Sequence, residues 1–159
     1  MATEKLKFVI ELYSEYWNNP PMAEVYINGE SQYKDYIKGT KDNPDIISFY
    51  YDLHDGNDYD LMIDRSNKTK KETKVVDGKI VSDQLLHIKG IEIDEINIGA
   101  LVYEGVYEPS YPPRWAMQQK NAGNDLPASF KNVTCMGHNG TWTFKFASPF
   151  YTWLLENLY

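Results

Sequence analysis

The chain has 159 residues and a mass of 18.5 kDa, close to the commonest size of a single domain. Hydrophobic residues make up 42% of it and aromatic residues 14%, so a core can form without disulfides and disorder is excluded as the main state. Sixteen basic side chains stand against twenty-three acidic ones, and this net charge of −7 argues against a nucleic-acid partner.

The sequence shows no sign of membrane insertion or export. No stretch approaches the roughly 18 apolar residues of a membrane span, and the N-terminus lacks a basic start followed by an apolar run. We therefore expect a soluble chain without an export signal or a membrane partner. The single cysteine, Cys135, cannot form an internal disulfide and is expected to be a small core side chain beside Met136.

The first quarter of the chain predicts a strand and a hairpin. Residues 5–13 alternate apolar and polar side chains, which is the pattern of a half-buried strand. Its apolar face comprises Leu6, Phe8, Ile10 and Leu12. A β-rich segment over residues 23–27 then leads into Asn28-Gly29, the pair that best tolerates a type I′ turn.

A further strand and a second hairpin follow. The strand has Ile47, Phe49, Tyr51 and Leu53 on one face. In the hairpin, residues 75–76 and 79–81 flank Asp77-Gly78, whose tolerance of positive φ lets two strands reverse direction.

The alternation over residues 86–98 slips twice. Gly90 can absorb the first slip as a bulge, and Asp94-Glu95 can absorb the second as a turn. The segment therefore predicts two strands.

The last third of the chain predicts two more strands and one helix. One strand is expected over residues 100–107, and another where Trp142, Phe144 and Phe146 alternate with polar residues. The tail after Ser148-Pro149 predicts a helix, with the serine as its cap and the proline at its first position.

These elements predict the fold class. About eight short strands without βαβ alternation indicate an all-β protein, an antiparallel, jelly-roll-like β-sandwich that forms one domain over residues 1–159. Residues 108–128 carry four prolines and are predicted to be a long loop. This loop and the helical tail, residues 148–159, are the predicted docking elements.

An acidic cluster between two strands is a candidate metal site. Calcium takes six to eight hard oxygen ligands, which carboxylates and an amide can supply. The candidate ligands are Asp52, Asp55, Asn57, Asp58 and Asp60. The alternative is a solvated acidic turn, because Asp, Asn and Gly are also the residues that turns need.

Aromatic side chains are the second candidate site. Thirteen tyrosines and four tryptophans are more than one small core needs, so some are expected on a protein interface, with the core and a sugar site as the alternatives. A flat ring can lie against the apolar face of a pyranose. The candidate partner- or glycan-binding residues are Tyr107, Tyr111, Arg114, Trp115, Trp153 and Tyr159.

Catalytic signatures are missing from the sequence. The three histidines lack metal-ligand spacing, and Cys135 with His138 three residues later is not by itself a nucleophile and base. His138 is assigned instead to the turn before the Trp142 strand. We expect no enzyme; a glycan-cleaving activity would need a cleft with two carboxylates at a suitable separation.

Two resemblances add to this interpretation. The order of residues 23–29, 60–64 and 88–96 resembles the strand framework of small jelly-roll carbohydrate-binding modules, notably the calcium-dependent xylan-binding type, over about half of the chain. The whole chain also resembles small virion-associated proteins of tailed phages, especially phages of marine cyanobacteria. Residues 83–96 and the tail 148–159 suggest the second resemblance.

The resemblances imply two functions. The first hypothesis is a non-enzymatic structural or adaptor protein of the phage tail, fibre or capsid surface. It would be made in the host cytoplasm and would dock on other virion proteins and copies of itself. The alternative is a carbohydrate-binding module, with calcium as its possible cofactor, that recognises a host or cell-surface glycan.

Overall fold

A computed structural model describes residues 2–158, which form thirteen strands, two α-helices and two short 3₁₀ helices. The strands are β1 (Thr3–Glu15), β2 (Met22–Ile27), β3 (Glu30–Tyr36), β4 (Asp45–His54), β5 (Asp58–Ser66), β6 (Lys74–Val76), β7 (Lys79–Ser82), β8 (Leu85–Ile93), β9 (Ile96–Asn97), β10 (Val106–Pro109), β11 (Phe130–Lys131), β12 (Cys135–Met136) and β13 (Gly140–Ala147). The helices are α1 (Pro113–Asn121) and α2 (Phe150–Asn157), and the 3₁₀ helices span Lys70–Glu72 and Gly99–Glu104. Within the described residues, no helix has the length and apolar character that a membrane crossing requires.

The strands form two antiparallel sheets that enclose one core. Sheet A has the order β12-β8-β1-β4, with β9 beside β8, and sheet B has the order β11-β10-β13-β5-β2-β3. The rings of Phe8 in sheet A and Phe146 in sheet B lie 5.9 Å apart, centroid to centroid. The predicted antiparallel β-sandwich is therefore confirmed. The predicted hairpin β6–β7 also forms, as a separate exposed pair of strands.

The core consists of the residues whose alternation predicted the strands. On β1 the four predicted inward side chains are all buried, and on β13 the three predicted aromatic rings are buried as well. The three rings of β13 stack in sequence, with adjacent centroids 6.2 Å apart. Burial of such rings away from water is the main stabilising term of the sandwich.

The predicted turns and the predicted bulge are confirmed. Both central residues of each two-residue turn have positive φ: Asn28 and Gly29, Asp77 and Gly78, Asp94 and Glu95. Glu11 pairs with Gly90 while its neighbour Leu12 pairs with Ile88, so Lys89 is the extra residue of a bulge. The bulge returns the apolar side chains of β8 to the core.

The predicted strand over residues 100–107 is wrong for most of its length. Gly99–Glu104 forms a 3₁₀ helix instead, and only Val106–Pro109 is a strand. Leu101 and Val102 are adjacent in sequence and both buried. A strand would point these two side chains to opposite faces, whereas the helical turn directs both towards the core.

The predicted loop over residues 108–128 contains a helix, α1. The prolines of this segment predict a loop, but Pro113 occupies the first helical turn and Pro112 is the residue before it. A proline in the first turn costs little, because its missing N–H would have no partner within the helix. The prolines therefore start this helix rather than prevent it.

The predicted C-terminal helix is confirmed as α2, but its predicted serine cap is wrong. The helix begins at Phe150, Pro149 is its flanking residue, and no side chain of the flanking residue caps it. The cap comes from β1, where Glu4 Oε1 accepts the Phe150 N–H at 2.7 Å and the Ser148 hydroxyl at 3.1 Å. A carboxylate at this end also interacts favourably with the helix dipole.

The Glu4 cap can be tested by stability measurements. We expect Glu4→Ala to lower the free energy of unfolding by about 0.5–2 kcal/mol, because the Phe150 N–H then loses its acceptor. Urea unfolding measures the change. Ser148→Ala is the matched variant and should have a smaller effect; equal effects of the two changes would contradict the cap.

A second stability test concerns the contact between Gly105 and Trp142. A Cβ on Gly105 would lie 2.2 Å from Cε2 of the buried indole, so we expect Gly105→Ala to destabilise the fold by about 1–3 kcal/mol. Gly90→Ala is the control, because a Cβ there meets no atom within 4 Å. Urea unfolding of both variants should separate them, and a neutral Gly105→Ala would contradict the close packing.

Candidate functional site

Three of the predicted aromatic residues meet in a cleft at the β11 edge of sheet B. The cleft has a volume of about 410 Å³. Its lining includes Tyr107, Tyr111, Trp115, Asp125, Phe130 and His138, and we call it the aromatic cleft.

Three rings of the aromatic cleft contact one another. The centroid of Tyr111 lies 5.8 Å from that of Trp115, and the His138 centroid lies 5.1 Å from each. All three side chains are half-buried. Each ring is therefore supported from one side and leaves part of its surface open.

The loop around α1 positions the two outer rings. Trp115 lies in the first turn of α1, two residues after Pro113. The Tyr111 hydroxyl donates to the carbonyl of Pro127 at 2.7 Å, which ties the start of this loop to its end. The long loop predicted from its prolines is thus closed by its own side chain.

Tyr107 forms the floor of the cleft and not an exposed contact surface. The residue is 4% exposed, and its hydroxyl accepts the His138 N–H at 2.9 Å while donating to the His138 carbonyl. Burial raises the pKa of Tyr107 to about 12. The phenol is therefore neutral at pH 7 and holds the His138 backbone in place.

A buried arginine supports the segment that carries His138. Arg65 is completely buried, and its guanidinium donates to Met136 O at 3.3 Å, to Asn139 Oδ1 at 2.9 Å and to the Gln84 carbonyl. Burial lowers the pKa of Arg65 to about 10, so it keeps its charge at pH 7. Sequence reasoning missed this residue, although it follows Leu61 and Ile63 on the inward face of β5.

Lys68 completes the support of the same segment. Its backbone N–H donates to Asn139 Oδ1 at 2.9 Å, and its carbonyl accepts from Asn139 Nδ2 at 3.0 Å. Its ammonium donates to the Gly137 carbonyl and pairs with Asp83 at 2.9 Å. Residues 137–139 are therefore held from both sides, and the turn predicted before β13 is confirmed.

The remaining predicted aromatic and basic residues lie elsewhere. Arg114 is exposed on α1 outside the lining of the aromatic cleft, and Trp153 lies on α2 against the core. Tyr159 falls outside the described residues. Asp125 and Phe130 line the cleft but were not predicted, because nothing in their local sequence marks them.

The predicted calcium ligands are spread over a strand of sheet A, a strand of sheet B and the turn that joins them. Asp52 lies on β4, Asp58 and Asp60 lie on β5, and Asp55 and Asn57 lie in the intervening turn. In residues 2–158, no group of three or more His, Cys, Asp or Glu side chains is placed to hold a metal ion.

The turn between β4 and β5 has a structural role instead. The Gly56 N–H donates to the Ser148 carbonyl at 2.9 Å, and the Asn57 carbonyl accepts the Ser148 N–H at 3.1 Å. These two hydrogen bonds fix the turn against the segment that leads into α2. The geometry favours the alternative interpretation, an acidic turn.

The expectation for Cys135 is wrong. Cys135 is exposed on β12 and lines the aromatic cleft, while its neighbour Met136 is fully buried. The short strand β12 lies at the edge of sheet A, where alternate side chains point in and out. Met136 takes the inward position.

The fold is similar to that of a known binding module. No family model matches the sequence, and no curated protein matches it. The match to the structure of vCBM60 in complex with galactobiose covers 87% of this chain and 96% of the vCBM60 chain, with a TM-score of 0.50 and 9% identity. The match to the selenomethionine form of vCBM60 covers 87% of this chain and 89% of that chain, with a TM-score of 0.49 and 9% identity. That structure is described as part of an evolutionary link, by circular permutation, between two families of calcium-dependent carbohydrate-binding modules. At this identity the likeness to the galactobiose complex is one of fold.

The pKa of His138 gives a test of the site geometry. Burial, and after it the charge of Lys68, lowers this pKa below the usual 6.5, so the unfolded chain takes up the proton first as the pH falls below 6.5. We expect the free energy of unfolding to decrease as the pH falls from 6.5 to the folded-state pKa of His138. Part of this decrease should be absent in His138→Gln. Urea unfolding across this range measures it, and an NMR titration midpoint at or above 6.5 would contradict the burial.

Proposed function

We propose that this protein is a carbohydrate-binding module that holds a glycan in the aromatic cleft. The observation that carries the proposal is the pair of half-exposed rings, Tyr111 and Trp115, which the loop around α1 brings together and His138 supports. The β-sandwich fold that the chain shares with vCBM60 supports it.

The chemistry of the cleft suits a saccharide. One face of a pyranose is a flat array of C–H groups, which packs on an aromatic ring and removes apolar surface from water. The hydroxyls at its rim need hydrogen-bond partners. Neutral His138 can donate from one nitrogen and accept at the other, and Asp125 at the cleft wall can accept.

Binding without cleavage fits the same lining. The common mechanisms of glycoside hydrolysis use two carboxyl groups. Among the described residues that line the aromatic cleft, Asp125 is the only carboxylate. We therefore propose a binding function and not a hydrolase.

One observation favours docking on a protein as a second function. The outer side of α2 exposes Tyr151, Leu155 and Leu158, which are spaced as neighbours along one helical stripe. Such a stripe suits contact with another subunit, as the adaptor hypothesis requires. Virion origin itself remains a prediction, and the comparisons offer it no support.

Glycan titrations test the proposed function. We expect the chain to bind at least one neutral oligosaccharide of a panel that includes galactobiose, cellotriose and xylotriose. Trp115→Ala should weaken this binding at least about tenfold, because a buried aromatic contact contributes more than about 1.4 kcal/mol. Isothermal titration calorimetry measures both.

The matched control for that titration is Met117→Ala. Met117 lies on the same helix and is exposed, outside the lining of the cleft, so its truncation should leave affinity unchanged. Absence of binding to every sugar, or unchanged binding by Trp115→Ala, would refute the proposal. Titration in EDTA should match titration in buffer, because the acidic turn does not gather metal ligands.

A further inference from the structure

A second, larger cleft lies between α2 and the strands β10, β11 and β13 of sheet B. It has a volume of about 760 Å³ and includes Trp153, a predicted site residue that lies outside the aromatic cleft. The side chains used below are Glu104, Glu108, Lys131, Lys145, Trp153 and Asn157, and we call this the α2 cleft.

The two clefts lie on opposite faces of the β10–β11 ribbon. Val106 pairs with Lys131, and both line the α2 cleft, whereas the next pair, Tyr107 with Phe130, lines the aromatic cleft. Successive residues of a strand point to opposite faces. A short ligand in one cleft therefore leaves the other free.

Trp153 gives the α2 cleft an aromatic wall. The ring meets Phe144 edge-on at 5.7 Å and stacks on Phe150 at 6.0 Å, centroid to centroid. Both of these partners are buried. The indole is half-buried, so core packing holds one part of the ring while another part faces the cleft.

The charges of the α2 cleft are balanced and unpaired. Two carboxylates, from Glu104 and Glu108, face two ammonium groups, from Lys131 and Lys145. None of the four belongs to an ion pair within residues 2–158. The cleft thus offers strong donors and strong acceptors without a net charge, beside an aromatic surface.

We infer that the α2 cleft is a second binding site for a neutral saccharide, so that one chain holds two glycan strands. Hydroxyl groups both donate and accept, which matches the mixed lining better than a ligand of one charge would. This inference rests on the proposed function for its ligand class. Two sites on opposite faces would let the module link separate glycan chains.

Indole NMR signals can report on each cleft separately. The four tryptophans give four Nε1–H signals, of which Trp115 reports the aromatic cleft and Trp153 the α2 cleft. Trp17 serves as the internal control, because its Nε1 donates to the Glu72 carbonyl and lies in neither cleft. Galactobiose, cellotriose and xylotriose are each titrated into labelled wild-type chain. We expect one of these sugars to shift the signals of both Trp115 and Trp153.

A charge-removal variant ties the second shift to the α2 cleft. Glu108→Gln with Lys145→Gln should weaken the titration followed at Trp153 at least tenfold and leave that followed at Trp115 unchanged. Trp153 itself is kept, because its ring packs against the core. Lys38→Gln is the matched control beyond β3, at the opposite edge of sheet B, and should change neither titration.

Each outcome decides one of the two proposals. A shift of Trp115 alone overturns the α2 site and supports the aromatic cleft. A shift of Trp153 alone supports the α2 site and refutes the aromatic cleft. If neither signal shifts with any of the three sugars, both proposals are overturned. A Trp153 response that survives the double variant also overturns the α2 site.

Discussion

The buried guanidinium of Arg65 is the interaction on which the aromatic cleft depends. A cation removed from water must find fixed hydrogen-bond acceptors inside the protein, or its burial would be prohibitively unfavourable. Here the acceptors come from Gln84, Met136 and Asn139, which lie outside β5, the strand that carries the arginine. The bonds therefore tie sheet B to the β12 edge of sheet A. They also hold the turn from which His138 reaches Tyr111 and Trp115.

The aromatic face of β13 organises the other side of the molecule. Its stacked rings fill the space between the sheets, and α2 closes over them with Phe150 and Trp153. Gly105 approaches the Trp142 indole so closely that no side chain fits there. This contact brings the chain out of the 3₁₀ helix directly into β10. The strand β10 then separates the two clefts, so both candidate sites depend on the same packing.

Function has to be argued from these sites, because a shared sandwich fold does not specify what a protein binds. Half-exposed rings beside mixed donors and acceptors suit a hydroxyl-rich ligand better than a phosphate polymer or a metal ion. The net charge of −7 points in the same direction, since it disfavours polyanionic partners over most of the surface. The exposed stripe of α2 is mainly apolar and suits contact with a protein surface.

The strands with clear alternation, such as β1, β4 and β13, were predictable from sequence, because alternation of side chains is a local property of extended backbone. So were the turns at Asn28-Gly29 and Asp77-Gly78, where few residues adopt positive φ. The strand predicted over residues 100–107 was wrong, because a 3₁₀ helix lets Leu101 and Val102 both face the core. The helix α1 was missed for a local reason, because a proline is tolerated in the first helical turn. The cap of α2 was missed because it is a tertiary contact: it comes from Glu4 at the other end of the chain. Trp115 was recognised as a candidate, but its meeting with His138 depends on how distant segments pack. Five neighbouring acidic and amide residues suggested calcium, yet within residues 2–158 no three His, Cys, Asp or Glu side chains are grouped to hold a metal ion. Sequence alone determined the long alternating strands and their apolar faces. Only the packed sheets decided which polar and aromatic groups share a cleft, because that depends on distances between residues far apart in the chain.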